Sequence, residues 1–172
     1  MSQSPLISDE YKALQIKTHE ENPDWGRAAQ ANASAILKFC KDNGFKKVLD
    51  YGCGKQRLRD ALAPHGIEVF GYDPGIPGLD APPLPQDLLV CIDVLEHIEP
   101  DCLEDVLKDL RRLTKKVGIF TISTRPAETL LADGTNAHRI IEPSHWWLDR
   151  LCRVFSVHMF THKQDGFGVI VQ

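Results

Sequence analysis

The chain has 172 residues, 42% hydrophobic and 26% charged, with a net charge of −4; this fits one ordinary domain with its own core and excludes disordered, collagen-like and membrane-spanning classes. Basic residues are scattered or paired (Lys46-Lys47, Arg111-Arg112, Lys115-Lys116) rather than gathered in a stripe, which argues against nucleic acid as a partner. The longest apolar run, Leu88 to Ile92, is far too short for a bilayer, and the opening MSQSPLISDEYK has no signal-peptide character, so a cytoplasmic protein without a membrane partner is expected.

The reading is of a single domain, 1–172, in which 1–44 forms an N-terminal helical extension. Ala33, Ile36, Leu37 and Cys40 recur at helical spacing, and Asn43-Gly44 stops that helix. The earlier stretch, with Tyr11, His19 and Trp25, is either a lid over a site or a decoration. Lys46–Tyr51 reads as a strand entering the turn Gly52-Cys53-Gly54, and Leu58, Ala61 and Leu62 mark the helix after it. Glu68–Asp73 is a second strand. The prolines at 74, 77, 82, 83 and 85 forbid a regular helix before the next element.

Asp87–Val94 is nearly all apolar, the pattern of a central strand buried on both faces. A helix should open near Pro100 or Asp101, with Asp101 and Glu104 as a capping box and Leu103, Val106, Leu107, Leu110 and Leu113 on one face. Val117–Ser123 is a further strand, 124–141 a polar loop, and Pro143–Cys152 a short helix with Trp147, Leu148 and Leu151 inward. Arg153–Phe160 and Gly168–Val171 pair as an antiparallel hairpin across a polar turn at 161–166. The expected fold class is α/β: a doubly wound, mostly parallel sheet with a C-terminal antiparallel hairpin.

Five cysteines (Cys40, Cys53, Cys91, Cys102, Cys152) form no C-x-x-C pair, so reduced, mostly buried thiols are expected, and no metal. The chemistry concentrates where the first strand ends. Gly52 and Gly54 let backbone approach a ligand closely at the edge of an open α/β sheet, although tight turns use the same residues. Asp73 closes the second strand nineteen positions after Gly54, near the spacing of a carboxylate that accepts hydrogen bonds from a ribose diol. Taken alone, it reads equally as a turn aspartate.

With these pieces in register the chain resembles the class I S-adenosylmethionine-dependent methyltransferases from about Val48 to Val171. VLDYGCG looks like their first motif, GYD their second and DLLVCIDVLEHI their fourth strand, followed in order by a helix and VGIFTIST. It looks like a small stand-alone member, with a seven-stranded-type sheet trimmed in the middle. The resemblance implies S-adenosyl-L-methionine as cofactor and a small-molecule acceptor methylated on oxygen or nitrogen. It places Asp50, Tyr51, Gly52, Cys53 and Gly54 along the methionine end, and Asp73 and Pro74 at the ribose. Asp80 and Ala81 would face adenine, with Asp93, Val94 and Leu95 on the floor beside the sulfonium.

Glu96 and His97 continue the motif, in structural or catalytic roles. His138, in the loop after the fifth strand of the family pattern, is the candidate substrate-facing base, with His145 as a second. Trp25, His97, Arg139 and Trp146 are candidates for the acceptor wall. The bland reading has His138 tying its loop to the body and both tryptophans in the core. Where the family usually has a third glycine this chain has Gln56, which keeps open a binding module without catalysis. A nucleic-acid methyltransferase lacks support, because Asp93-Val94-Leu95-Glu96 stands where amino-directed DNA enzymes carry an Asp/Asn-Pro-Pro-aromatic motif. Asp50 and the lost last glycine disfavour a nicotinamide enzyme.

Overall fold

A computed structural model describes residues 5–22 and 27–172. Two helices, α1 (Asp9–Glu21) and α2 (Arg27–Asn43), precede the strand β1 (Lys47–Tyr51). The chain continues through α3 (Arg57–Leu62), β2 (Glu68–Tyr72), β3 (Gln86–Ile92), α4 (Leu103–Leu113) and β4 (Thr114–Ser123), and ends with α5 (Ser144–Val154), β5 (Val157–Lys163) and β6 (Gly166–Val171).

The six strands form one sheet in the order β2-β1-β3-β4-β6-β5. Neighbours from β2 to β4 are parallel, and β6 runs antiparallel between β4 and β5. This is one strand fewer than the seven-stranded type, and the reason lies in 73–85. The prolines there remove amide donors and fix φ, and the segment crosses from β2 to β3 without helix or strand.

Side-chain alternation along the strands feeds two apolar layers. On one face Val48, Val69, Leu88, Val90 and Ile92 pack under Ala33, Ile36 and Cys40 of α2 and Leu58 and Leu62 of α3. On the other, Leu49, Tyr51, Leu89, Cys91, Phe120 and Phe167 meet α4 and α5. Helix α4 buries the five leucine and valine side chains expected of it, each stabilising by about 1.5–3 kcal/mol relative to exposure. All five cysteines are free thiols. Among the described residues no helix is long and apolar enough to cross a membrane.

Several boundaries differ from expectation. The capping box at Asp101 is absent: a 3₁₀ turn, Pro100–Cys102, leads into α4 without a side-chain cap. Strand β4 starts at Thr114 rather than Val117, because the Thr114 amide and hydroxyl both bond the Leu110 carbonyl and turn the chain straight from helix to strand. Helix α5 runs on to Val154, since Trp147, Leu151 and Phe155 bury one helical stripe. The final hairpin turn shrinks to Gln164-Asp165, with Lys163 paired to Gly166.

Candidate active site

Strand β1 connects outward to β2 and the chain then returns to β3 on β1's other side, so the strand order reverses between β1 and β3. Ligands bind at the carboxyl ends of strands at such a point. A cavity of about 840 Å³ opens there, within the 300–1,000 Å³ usual for small-molecule sites.

The glycine turn forms part of its lining. Gly52 and Gly54 take φ of 75° and 49°, left-handed values that glycine adopts without steric cost. A Cβ on Gly52 would lie 2.5 Å from Val94 Cγ2, so the turn after β1 lies this close to the Val94 side chain only because position 52 has none. Asp73 Oδ2 accepts from the Gly54 amide at 2.9 Å and Oδ1 from the Gly75 amide at 2.9 Å. His19 Nε2 stands 3.9 Å from the same carboxylate, its pKa lowered by burial against the opposing pull of Asp73. Under the turn Asp50 is buried and pushed up to about 7, first by burial and then by Asp73.

Asp93 closes the floor. Its φ of 51° is left-handed without glycine, a strain of about 1–3 kcal/mol that surrounding bonds must hold. Thr121 holds it, its carbonyl and hydroxyl oxygens accepting from the Asp93 amide and its hydroxyl donating to Asp93 Oδ1 at 2.6 Å. The bend sends the chain into a 3₁₀ turn, Leu95–His97, that delivers His97 to the cavity.

In the same lining His97 and His138 meet edge to face, ring centroids 4.7 Å apart. His97 Nδ1 lies 2.8 Å from the Ala137 carbonyl and His138 Nδ1 2.5 Å from the Arg125 carbonyl. A carbonyl oxygen can only accept, so both Nδ1 atoms carry the proton and Nε2 is the basic nitrogen of each ring. His97 is pushed down to about 4, chiefly by burial and then by the neighbouring His138.

Glu96 braces this part of the site. Its Oε1 accepts from the Ser123 amide at 2.7 Å, and its carbonyl accepts from the amides of Arg139 and Ile140. Asn136 staples the loop: its Oδ1 accepts from the amides of Ala127 and His138, and its Nδ2 donates to the Ala127 carbonyl.

The family model described as a methyltransferase domain matches residues 25–168. The chain belongs to that methyltransferase family. Among solved structures it is similar to the 1,6-didemethyltoxoflavin N1-methyltransferase of Burkholderia thailandensis, crystallised with 1,6-didemethyltoxoflavin and S-adenosylhomocysteine. That likeness has a TM-score of 0.66 at 21% identity over 99% of this chain and 92% of the other. The N-methyltransferase NodS of Bradyrhizobium japonicum, in complex with S-adenosyl-L-homocysteine, gives 0.65 at 14% over 91% and 97%. An O-methyltransferase family protein of Burkholderia thailandensis gives 0.63 at 14% over 99% and 64%. Identities this low speak for a shared fold, and no curated protein matches the sequence.

Of the residues expected at a methyltransferase site, Tyr51, Gly52, Cys53, Gly54, Asp73, Pro74, Asp93, Val94, His97 and His138 line the one cavity. Others stand elsewhere. Asp50 lies beneath the turn, and Leu95 points into the apolar core. Asp80 and Ala81 are exposed outside the cavity, with Asp80 paired to Lys12 at 3.0 Å. His145 is exposed on α5, and Trp146 packs edge-on to Trp147 beneath the Arg150 guanidinium; the apolar stripe of α5 faces the sheet, so neither lines the cavity. Arg139 bonds Thr135 Oγ1 and covers the Tyr11 ring instead of facing the cavity. Trp25 lies outside the described residues.

Other lining residues were not anticipated. Tyr11, Gln15 and His19 reach the cavity from α1, and Ser123 and the run from Arg125 to Thr129 line it too. Gln56 lines a smaller neighbouring hollow and accepts from Arg59 Nη1, so the side chain in place of the third glycine does not fill the main cavity. Among the described residues no cluster of three or more histidine, cysteine or carboxylate groups is arranged to hold a metal ion.

Proposed function

We propose that the chain is an S-adenosyl-L-methionine-dependent methyltransferase acting on an oxygen or nitrogen atom of a small or modest-sized acceptor. The observation that carries this reading is one cavity lined by both the Gly54–Asp73 pair and the His97–His138 pair.

The residues fit the cofactor. A carboxylate has about four lone-pair sites, and Asp73 spends one site of each oxygen on backbone amides, which leaves acceptors for a vicinal diol. The left-handed turn at Gly52 and Gly54 keeps the wall beside it free of side chains. When bound, S-adenosyl-L-methionine supplies an electrophilic methyl group on a sulfonium.

The protein's own task is to hold an acceptor in line with that methyl and to keep water out. An acceptor arriving protonated needs a base. His97 at about 4 is a poor one at neutral pH, which singles out His138, whose Nε2 is the nitrogen able to take the proton. The net charge of −4 favours a small molecule over a nucleic acid. Calorimetry with S-adenosylhomocysteine, followed by transfer of labelled methyl to metabolite pools, tests the reading. Absence of binding sinks it, whereas binding with no transfer to any pool makes the chain a cofactor-binding module.

A further inference from the structure

The buried face of α1 carries polar groups beside Tyr11, which packs on Leu131 and Ala137. Tyr11, Gln15 and Thr18 are its buried side chains, recurring at i, i+4 and i+7, where a helix docked on a hydrophobic core places apolar groups, as α4 does. Thr18 donates its hydroxyl to the Leu14 carbonyl, and Tyr11 donates to the His97 carbonyl at 2.7 Å. Gln15 differs. It is 8% exposed, and its buried Nε2 has no hydrogen-bond partner among the described residues. Burial pushes the Tyr11 phenol up to about 12, and the Gln15 amide stands near enough to oppose that rise but outside hydrogen-bond geometry.

Gln15 lines the cavity on the wall beside Asp73. Gly75 separates the two, and a Cβ there would lie 3.0 Å from Gln15 Cβ and 3.3 Å from Asp73 Oδ1. The helix is anchored independently of any ligand: the Ser8 amide and hydroxyl bond the Glu99 carboxylate at 2.8 and 2.7 Å, and Lys12 pairs with Asp80. An orphaned buried donor is unfavourable and calls for an explanation. Here it belongs to a residue in the lining of a ligand-sized space.

We propose that Gln15 is a cofactor-contacting residue whose Nε2 donates a hydrogen bond to an oxygen or ring nitrogen of the nucleoside held at Asp73, an inference that rests on the reading of this cavity as the S-adenosylmethionine site. The chemistry is complementary. A carboxylate only accepts, so Asp73 serves the hydroxyl donors of a ribose, while ether oxygen and purine nitrogens need a donor from elsewhere. Gln15 brings that donor from a helix outside the sheet.

Gln15→Leu keeps most of the volume and deletes the orphan, and Gln15→Glu keeps the shape and replaces the donor with an acceptor. Calorimetry with S-adenosylhomocysteine is expected to give a Kd at least tenfold weaker for each, while ligand-free Gln15→Leu unfolds at the same or a higher temperature than wild type. Wild-type Kd in both variants, or a lower melting temperature with Kd unchanged, overturns the assignment and makes Gln15 structural. Should wild-type protein take up no S-adenosylhomocysteine, the cofactor reading itself falls, and this inference with it.

Discussion

The Asp73 carboxylate accepts a hydrogen bond from the Gly54 amide 2.9 Å away, clamping the end of β2 to the turn that follows β1. The same carboxylate holds the Gly75 amide, so it shapes the cleft before any ligand arrives.

Asp73→Ala is therefore expected to act twice. It orphans two buried amides at about 1–3 kcal/mol each, so urea denaturation should show a loss of at least a few kcal/mol. It also removes the acceptor proposed for the ribose, and calorimetry should find affinity for S-adenosylhomocysteine at least a hundredfold lower. Unchanged affinity in the folded fraction would remove Asp73 from the cofactor site.

Glu96 sets a pH dependence of stability. Burial, and then Asp93, push its carboxyl from the ordinary 4.5 up to about 8. Between those values the folded chain holds a proton that the unfolded chain has released, so stability falls as pH rises through the window, with a slope approaching about 1.4 kcal/mol per pH unit. His97 acts oppositely: lowered from 6.5 to about 4, it makes stability rise with pH between those two values. Above pH 6.5 only the raised carboxyls of Glu96 and Asp50 remain in play, and the denaturation midpoint should drop from there to pH 8. In Glu96→Gln the amide oxygen keeps the Ser123 bond and the slope should flatten; a wild-type slope in that variant assigns the effect elsewhere.

Strands β1 and β3 were legible because burial on both faces leaves a local apolar pattern, and the glycine turn and Asp73 because each follows the end of a strand. Helix α1 was not. Its buried positions are Tyr11, Gln15 and Thr18, which give no apolar period, and what they face lies far along the chain. On α5 the inward position of Trp147 and Leu151 was legible from their helical spacing, and both are fully buried. Arg153 and Val154 were read as the start of a strand but close α5, because the docking of Leu151 and Phe155 on the sheet carries the helix past them.

Gln56 keeps the left-handed backbone of a glycine, with φ 56° and ψ 29° at the start of α3. A left-handed L-residue costs about 1–2 kcal/mol, partly offset by the unfolded-state entropy that glycine adds. Gln56→Gly should thus stabilise the chain by about 0.5–1 kcal/mol in chemical denaturation and leave cofactor affinity unaltered, since the side chain faces the neighbouring hollow. A loss of stability would mean that its bond from Arg59 outweighs the strain.

Asn136 holds the loop that carries His138. Its side-chain oxygen accepts from the His138 amide at 2.9 Å and the Ala127 amide at 3.0 Å, and its nitrogen donates to the Ala127 carbonyl at 2.9 Å. That staple fixes the 125–127 leg, whose Arg125 carbonyl in turn orients the His138 ring. Loss of a general base typically costs about 10²–10⁴ in rate; with His138 in that proposed role, His138→Ala should lower kcat at saturating cofactor by about a hundredfold or more, with the Kd for S-adenosylhomocysteine unchanged. Asn136→Ala leaves the imidazole in place but unsteadied, and a fall of about tenfold is expected. Residues that work as one unit are not additive: on the His138→Ala background, Asn136→Ala should cost nothing more. Losses that multiply in the double variant would show that Asn136 serves the acceptor pocket by some route other than His138.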